Sequence, residues 1–98
     1  MPVHVLALTV DVHLPAAHSL KDKRAVVRTV VDGARNRHRV AAAETGHLDR
    51  WQRAELAFAT VSGSVGQAET VIDEVERFVW SFPELEVLAC DRAWLETD

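Results

Sequence analysis

Apolar and polar positions alternate along several stretches of the chain, and this alternation predicts β-strands. In residues 3–14 every second position is strongly apolar, and residues 54–61 repeat the alternation. Residues 40–44 and 85–95 are shorter or less regular segments that we also predict to be strands. The side chains expected to face the core from the first strand are Leu6, Leu8, Val10 and Val12.

Two other segments space their apolar residues three or four apart, which predicts helices. Ser19 is placed to cap a helix over residues 20–37, and Ser64 with Gln67 forms a capping box before a helix that ends near Phe82. The second helix is predicted to bury Val65, Ala68, Val71, Ile72, Val75, Phe78 and Val79.

The element order is therefore strand, helix, strand, strand, helix, strand. Two βαβ halves in a chain of 98 residues predict a ferredoxin-like α+β domain spanning residues 1–98. In this architecture one four-stranded antiparallel sheet carries both helices on one face. The other face is left open.

The open face is predicted to be apolar and made of small side chains, which is typical of a contact surface. We therefore predict a homo-oligomer, most simply a dimer. The alternative is that alanines tolerate water and that the twist of the strands breaks up the patch. The residues predicted to form the interface are Val5, Ala7, Ala41, Ala43, Ala57 and Ala59, with Trp51 either as an anchor or as a plug at the edge of the core.

Charge is distributed unevenly along the chain. The net charge is −4, yet residues 21–53 hold nine of the eleven Lys and Arg residues. A basic region of this kind steers anions. The single cysteine, Cys90, fits a reducing cytoplasm, and no apolar run is long enough to span a membrane.

The start of the first helix is a candidate anion site. Its free N–H groups favour an anion, whereas cations there oppose the helix dipole, so helix stability does not account for them. A contact with phosphate or with an RNA backbone would account for these cations. The alternative is a solvated face whose charges pair with Asp22 and Asp32. The candidate residues are Ser19, Lys21, Lys23, Arg24, Arg28 and Arg35.

No catalytic constellation is visible, so we expect no enzymatic activity. The five histidines and Cys90 lack metal-ligand spacing, and no nucleotide or cofactor fingerprint is present. We therefore expect no metal and no cofactor. The predicted open face also lacks the stacking aromatics of RNA-recognition folds.

Several segments resemble the YlxP-like bacterial family, a domain family of unknown function. They are His13-Leu14-Pro15, the run from Ser19 to Arg24, residues 40–44 and the run from Trp51 to Leu56; Arg39 stands where the family usually has asparagine. The resemblance implies a ferredoxin-like fold and genes beside those for translation initiation and ribosome maturation. The resulting hypothesis is a non-enzymatic accessory module that binds RNA or a ribosome-associated partner. The alternative is a self-associating scaffold or small-ligand sensor that uses the open face.

Overall fold

The computed structural model describes residues 2–95, so residue 1 and residues 96–98 of the predicted domain lie outside it. Its sheet has the order β2-β3-β1-β4, and every neighbouring pair is antiparallel. This topology confirms the predicted ferredoxin-like α+β fold. The elements are β1 (His4–His13), α1 (Leu20–His38), β2 (Ala41–Gly46), β3 (Arg53–Ser62), α2 (Val65–Trp80) and β4 (Glu86–Leu95).

The core lies between the two helices and one face of the sheet. The alternation in β1 and β3 is confirmed, because Leu8, Val10, Leu56 and Phe58 are all buried on the helix side. The prediction for Val65 is wrong: it occupies the first position of α2 and is exposed to solvent.

Both helices begin where the capping serines predict. The Ser19 hydroxyl accepts a hydrogen bond from the Asp22 N–H at 3.0 Å, and the Ser64 hydroxyl accepts one from the Gln67 N–H at 3.3 Å. Each bond satisfies a backbone donor that the helix itself leaves free. α1 ends at His38 and is followed by Arg39, whose φ of 53° lies in the left-handed region that favours glycine or asparagine.

The open face of the sheet carries a line of alanines that crosses all four strands. The strand register places Ala41 beside Ala59, Ala59 beside Ala7, and Ala7 beside Ala93. We call these four residues the alanine row. Because methyl groups project only a short distance from the sheet, another layer of protein can approach the backbone closely.

Neither helix within residues 2–95 combines the length and the apolar character needed to cross a bilayer.

Candidate functional site

Lys23, on α1, is a fully buried lysine, with 0% of its surface exposed. Its ammonium lies 2.8 Å from the Glu44 carboxylate and donates hydrogen bonds to the carbonyls of His47 at 2.9 Å and Leu48 at 3.2 Å. A buried charge requires a partner of this kind. The prediction that Lys23 binds an external anion is therefore wrong, because internal groups already surround its ammonium.

The buried ammonium holds the connection between β2 and β3, residues 47–52. Gln52 holds the same connection from the other side, since its side-chain amide donates to the carbonyls of Pro15 at 3.3 Å and Ala17 at 3.2 Å. The Leu14 N–H donates a hydrogen bond to the Gln52 carbonyl at 2.9 Å. These bonds fix the β1–α1 loop and the β2–β3 connection against each other.

Lys21, Arg24 and Arg28 form an exposed stripe on α1, which we call the basic stripe. Their spacing of three and four residues places them on one side of the helix. Within residues 2–95 none of the three lies within 4 Å of a carboxylate. These cations are therefore free to meet an anion from outside.

Two other predicted anion-site residues are engaged inside the protein. The Ser19 hydroxyl caps α1. The Arg35 guanidinium donates to the Ala42 carbonyl at 2.6 Å and lies 3.6 Å from the Asp32 carboxylate. Arg35 is half-exposed, so it contributes charge to the surface while it also covers part of the β2 edge.

A groove of about 410 Å³ runs between α1 and β2, and we call it the α1–β2 groove. Its two carboxylates are already partnered, since Glu44 contacts buried Lys23 and Asp32 contacts Arg35. The guanidinium groups of Arg24 and Arg28 therefore leave the groove with an excess of positive charge. It is lined by Arg24, Val27, Arg28, Val31, Asp32, Arg35, Ala43 and Glu44.

Trp51 lies in the β2–β3 connection and is 54% exposed, so it does not plug the core. It also lies outside the four strands that carry the other predicted interface residues. It lines a second, shallow groove of about 560 Å³, which we call the Trp51 groove. The residues around this groove are Ala17, His18, Asp49, Arg50, Trp51, Gln52 and Arg53.

The other six predicted interface residues do share one surface. Val5 and Ala7 of β1 lie in register with Val61 and Ala59 of β3, and the remaining alanines occupy matching positions on β2 and β3. Sequence reasoning missed the part contributed by β4. In that strand Ala93 completes the alanine row, and exposed Leu95 lies beside Val5.

One end of the open face is polar, and its charges pair with each other. The Asp11 carboxylate lies 2.6 Å from the Arg53 guanidinium and 3.8 Å from His47 Nε2, and His13 Nδ1 lies 3.5 Å from the Glu86 carboxylate. Across residues 2–95, no three His, Cys, Asp or Glu side chains are grouped so that they could hold a metal ion.

β4 is joined to α2 by a charged cluster around Arg92, whose guanidinium lies 2.8 Å from Asp73 and 3.3 Å from Glu76. Partial burial opposes the charge of Arg92, but the hydrogen bonds that its guanidinium donates to these carboxylates outweigh the effect of burial and raise the pKa of the guanidinium. Burial, and next the charge of Glu76, raise the pKa of the nearby Cys90 thiol. A raised pKa keeps this thiol protonated and weakly nucleophilic near neutral pH.

Comparison with known proteins gives two findings. Residues 5–92 match the model of the family described as "Protein of unknown function (DUF503)". The chain is also 38% identical, over 78 residues, to the "Uncharacterized protein YlxP" of Bacillus subtilis (strain 168), a match that covers 80% of this chain and 85% of that relative. The family match extends over both helices and most of the sheet, and neither description specifies an activity.

Proposed function

We propose a function for this chain, which belongs to the DUF503 family of proteins of unknown function: it is a non-enzymatic cytoplasmic module that binds the phosphate backbone of RNA. The binding surface is the α1–β2 groove together with the basic stripe. The genomic setting that the family resemblance implies favours RNA over other polyanions.

The observation that supports this proposal is that Arg24 and Arg28 have no carboxylate partner within residues 2–95. Neither guanidinium lies within 4 Å of a carboxylate of residues 2–95, although the chain as a whole is acidic. A guanidinium group is planar and can donate two parallel hydrogen bonds to one phosphate. From Lys21 to Arg28 the helix advances about 10 Å, so the basic stripe is long enough to contact more than one phosphate.

Reversal of one charge in the groove tests the proposal. We expect Arg28→Glu to weaken binding to a fluorescein-labelled RNA of 20 nucleotides by roughly fivefold or more. The plot of log affinity against log salt concentration should become shallower by about 0.7, since one phosphate contact is lost. Fluorescence anisotropy between 50 and 200 mM KCl, within the range usual for such titrations, measures both quantities.

The matched control is Arg77→Glu, which makes the same change of charge at an exposed arginine of α2. It should leave the affinity close to that of the unmodified protein. Equal losses from both substitutions would mean that only the net charge matters and would refute the proposed groove. Absence of RNA binding at low salt would refute the function itself.

Self-association through the open face is a second candidate function, and the alanine row favours it. The row is flanked by exposed Val61 and Leu95, which add apolar area beside it. Such a surface is typical of proteins that assemble or that bind an apolar ligand. A dimer built on this face would leave the cations of α1 exposed, although Ala43 of β2 belongs both to this face and to the α1–β2 groove.

Light scattering at micromolar concentration tests the second candidate. We expect a mass of twice the 10.9 kDa of one chain. Ala59→Asp places a charge in the middle of the alanine row and should reduce the mass to that of one chain. Ala25→Asp, at an exposed position of α1, is the matched control and should preserve the dimer. A monomer mass for the unmodified protein would refute this candidate.

A further inference from the structure

We infer that Trp51 and the Trp51 groove bind an unpaired nucleobase of the same RNA whose backbone contacts α1. This inference rests on the proposed function and specifies its substrate, because it requires RNA with a single-stranded segment. Stacking on an aromatic side chain is the usual way in which proteins hold unpaired bases.

The first argument is the exposure of the indole. Trp51 shows 54% of its surface to solvent and lines the shallow Trp51 groove. A tryptophan so placed contributes little to the core, yet it offers a large flat surface to a planar ligand. A nucleobase presents such a plane whatever its sequence.

The second argument is the rigidity of the segment that carries Trp51. Two antiparallel strands can be joined by two residues, whereas β2 and β3 are joined by residues 47–52. The Lys23 ammonium binds two carbonyls at the start of this connection, and the Gln52 amide binds the β1–α1 loop at its end. Because the segment is already ordered, a ligand that binds to it does not have to order it.

The third argument is the chemistry of the groove. It is a shallow groove of about 560 Å³, which leaves room for a planar base to lie against the indole. Arg50 is exposed and supplies a guanidinium for a phosphate, whereas the Asp49 carboxylate repels phosphate and accepts hydrogen bonds from amino groups. This combination suits a base stacked on Trp51 with its phosphate near Arg50.

The fourth argument is that the base site adjoins the proposed backbone site along the chain. The Trp51 groove includes Ala17 and His18, and Ser19 then caps α1. Lys21, the first cation of the basic stripe, follows within the first turn of the helix. One strand of RNA can therefore contact the base site and continue along α1.

The experiment compares a single-stranded RNA of ten nucleotides with a blunt duplex of the same sequence. We expect Trp51→Ala to weaken single-strand binding by at least fivefold, and by up to about a hundredfold, as loss of one stacked base does. Duplex binding should be unchanged, because paired bases are not available to stack. Trp80→Ala is the matched control, since Trp80 is 59% exposed at the end of α2.

A second measurement does not depend on how Trp51→Ala folds. In the variant Trp80→Phe/Trp94→Phe, Trp51 is the remaining tryptophan of the chain, and its fluorescence should fall on addition of the single strand and not of the duplex. Equal single-strand affinity for Trp51→Ala and the unmodified protein, without quenching, would overturn the inference and leave the proposed function standing. If neither RNA binds, the proposed function fails, and this inference fails with it.

Discussion

Substitution of Lys23 by alanine is expected to lower the free energy of unfolding by about 3–5 kcal/mol, which is the usual effect of removing one partner of a buried ion pair. The Glu44 carboxylate would lose the ammonium that lies 2.8 Å away, and the carbonyls of His47 and Leu48 would lose their donor. Small domains have a total free energy of unfolding of only about 5–15 kcal/mol, so this substitution removes a large share of the stability of the domain.

Urea denaturation followed by circular dichroism measures this effect, and the thermal midpoint should fall by at least about 12 °C. Lys21→Ala is the matched control, because it removes an exposed lysine from the same helix and should change stability by less than about 0.5 kcal/mol. Similar stabilities for the two variants would show that the ammonium of Lys23 does not hold the β2–β3 connection.

Substitution of Phe58 by alanine is expected to have a comparable effect, a loss of about 3–5 kcal/mol. Phe58 is 1% exposed and lies in register with Leu8 on one side and Ala42 on the other. The small side chain of Ala42 leaves room for the ring. Removal of the ring opens a cavity that its neighbours fill only in part.

The control for Phe58 lies three residues further along the same strand, on the opposite face. Val61 is 69% exposed in the single chain, so in a monomer Val61→Ala should change the free energy of unfolding by less than about 0.5 kcal/mol when measured by the same denaturation. A large loss from Val61→Ala would instead mean that the open face is covered under the conditions of the measurement, as in a stable dimer.

The fold could be predicted from the sequence because its signals are local. Alternation in β1 and β3 and the capping hydroxyls of Ser19 and Ser64 depend on neighbouring residues, and all of them reappear in the structure. A capping hydroxyl bonds to the first turn of its own helix, so its position does not depend on what the helix packs against. The two serines therefore predict the first residue of each helix.

The burial of Lys23 was missed, although the sequence holds a signal for it. Lys23 precedes Val27 by four residues and Val30 by seven, which places it on the apolar side of α1 rather than on the basic stripe. The partners could not be predicted, because the carbonyls of the β2–β3 connection come into reach only when the sheet has formed.

The two grooves could be predicted only in part. Helical spacing alone places Arg24 and Arg28 on one side of α1, but the groove also needs β2, whose position follows from the order of the strands in the sheet. Trp51 was recognised as unusual from its place in a short connector. Its neighbours Ala17 and His18 come from a distant part of the sequence.

The position of β1 has a consequence for how the polypeptide acquires its shape during synthesis. β1 is made before the other three strands, yet it lies in the interior of the sheet and pairs on one side with β4, which is made some eighty residues later. Contacts between such distant segments form slowly. Until residues 86–95 leave the ribosome, one edge of β1 remains without its partner strand, so the nascent chain passes through a stage in which it is open to mispairing or to capture by a chaperone.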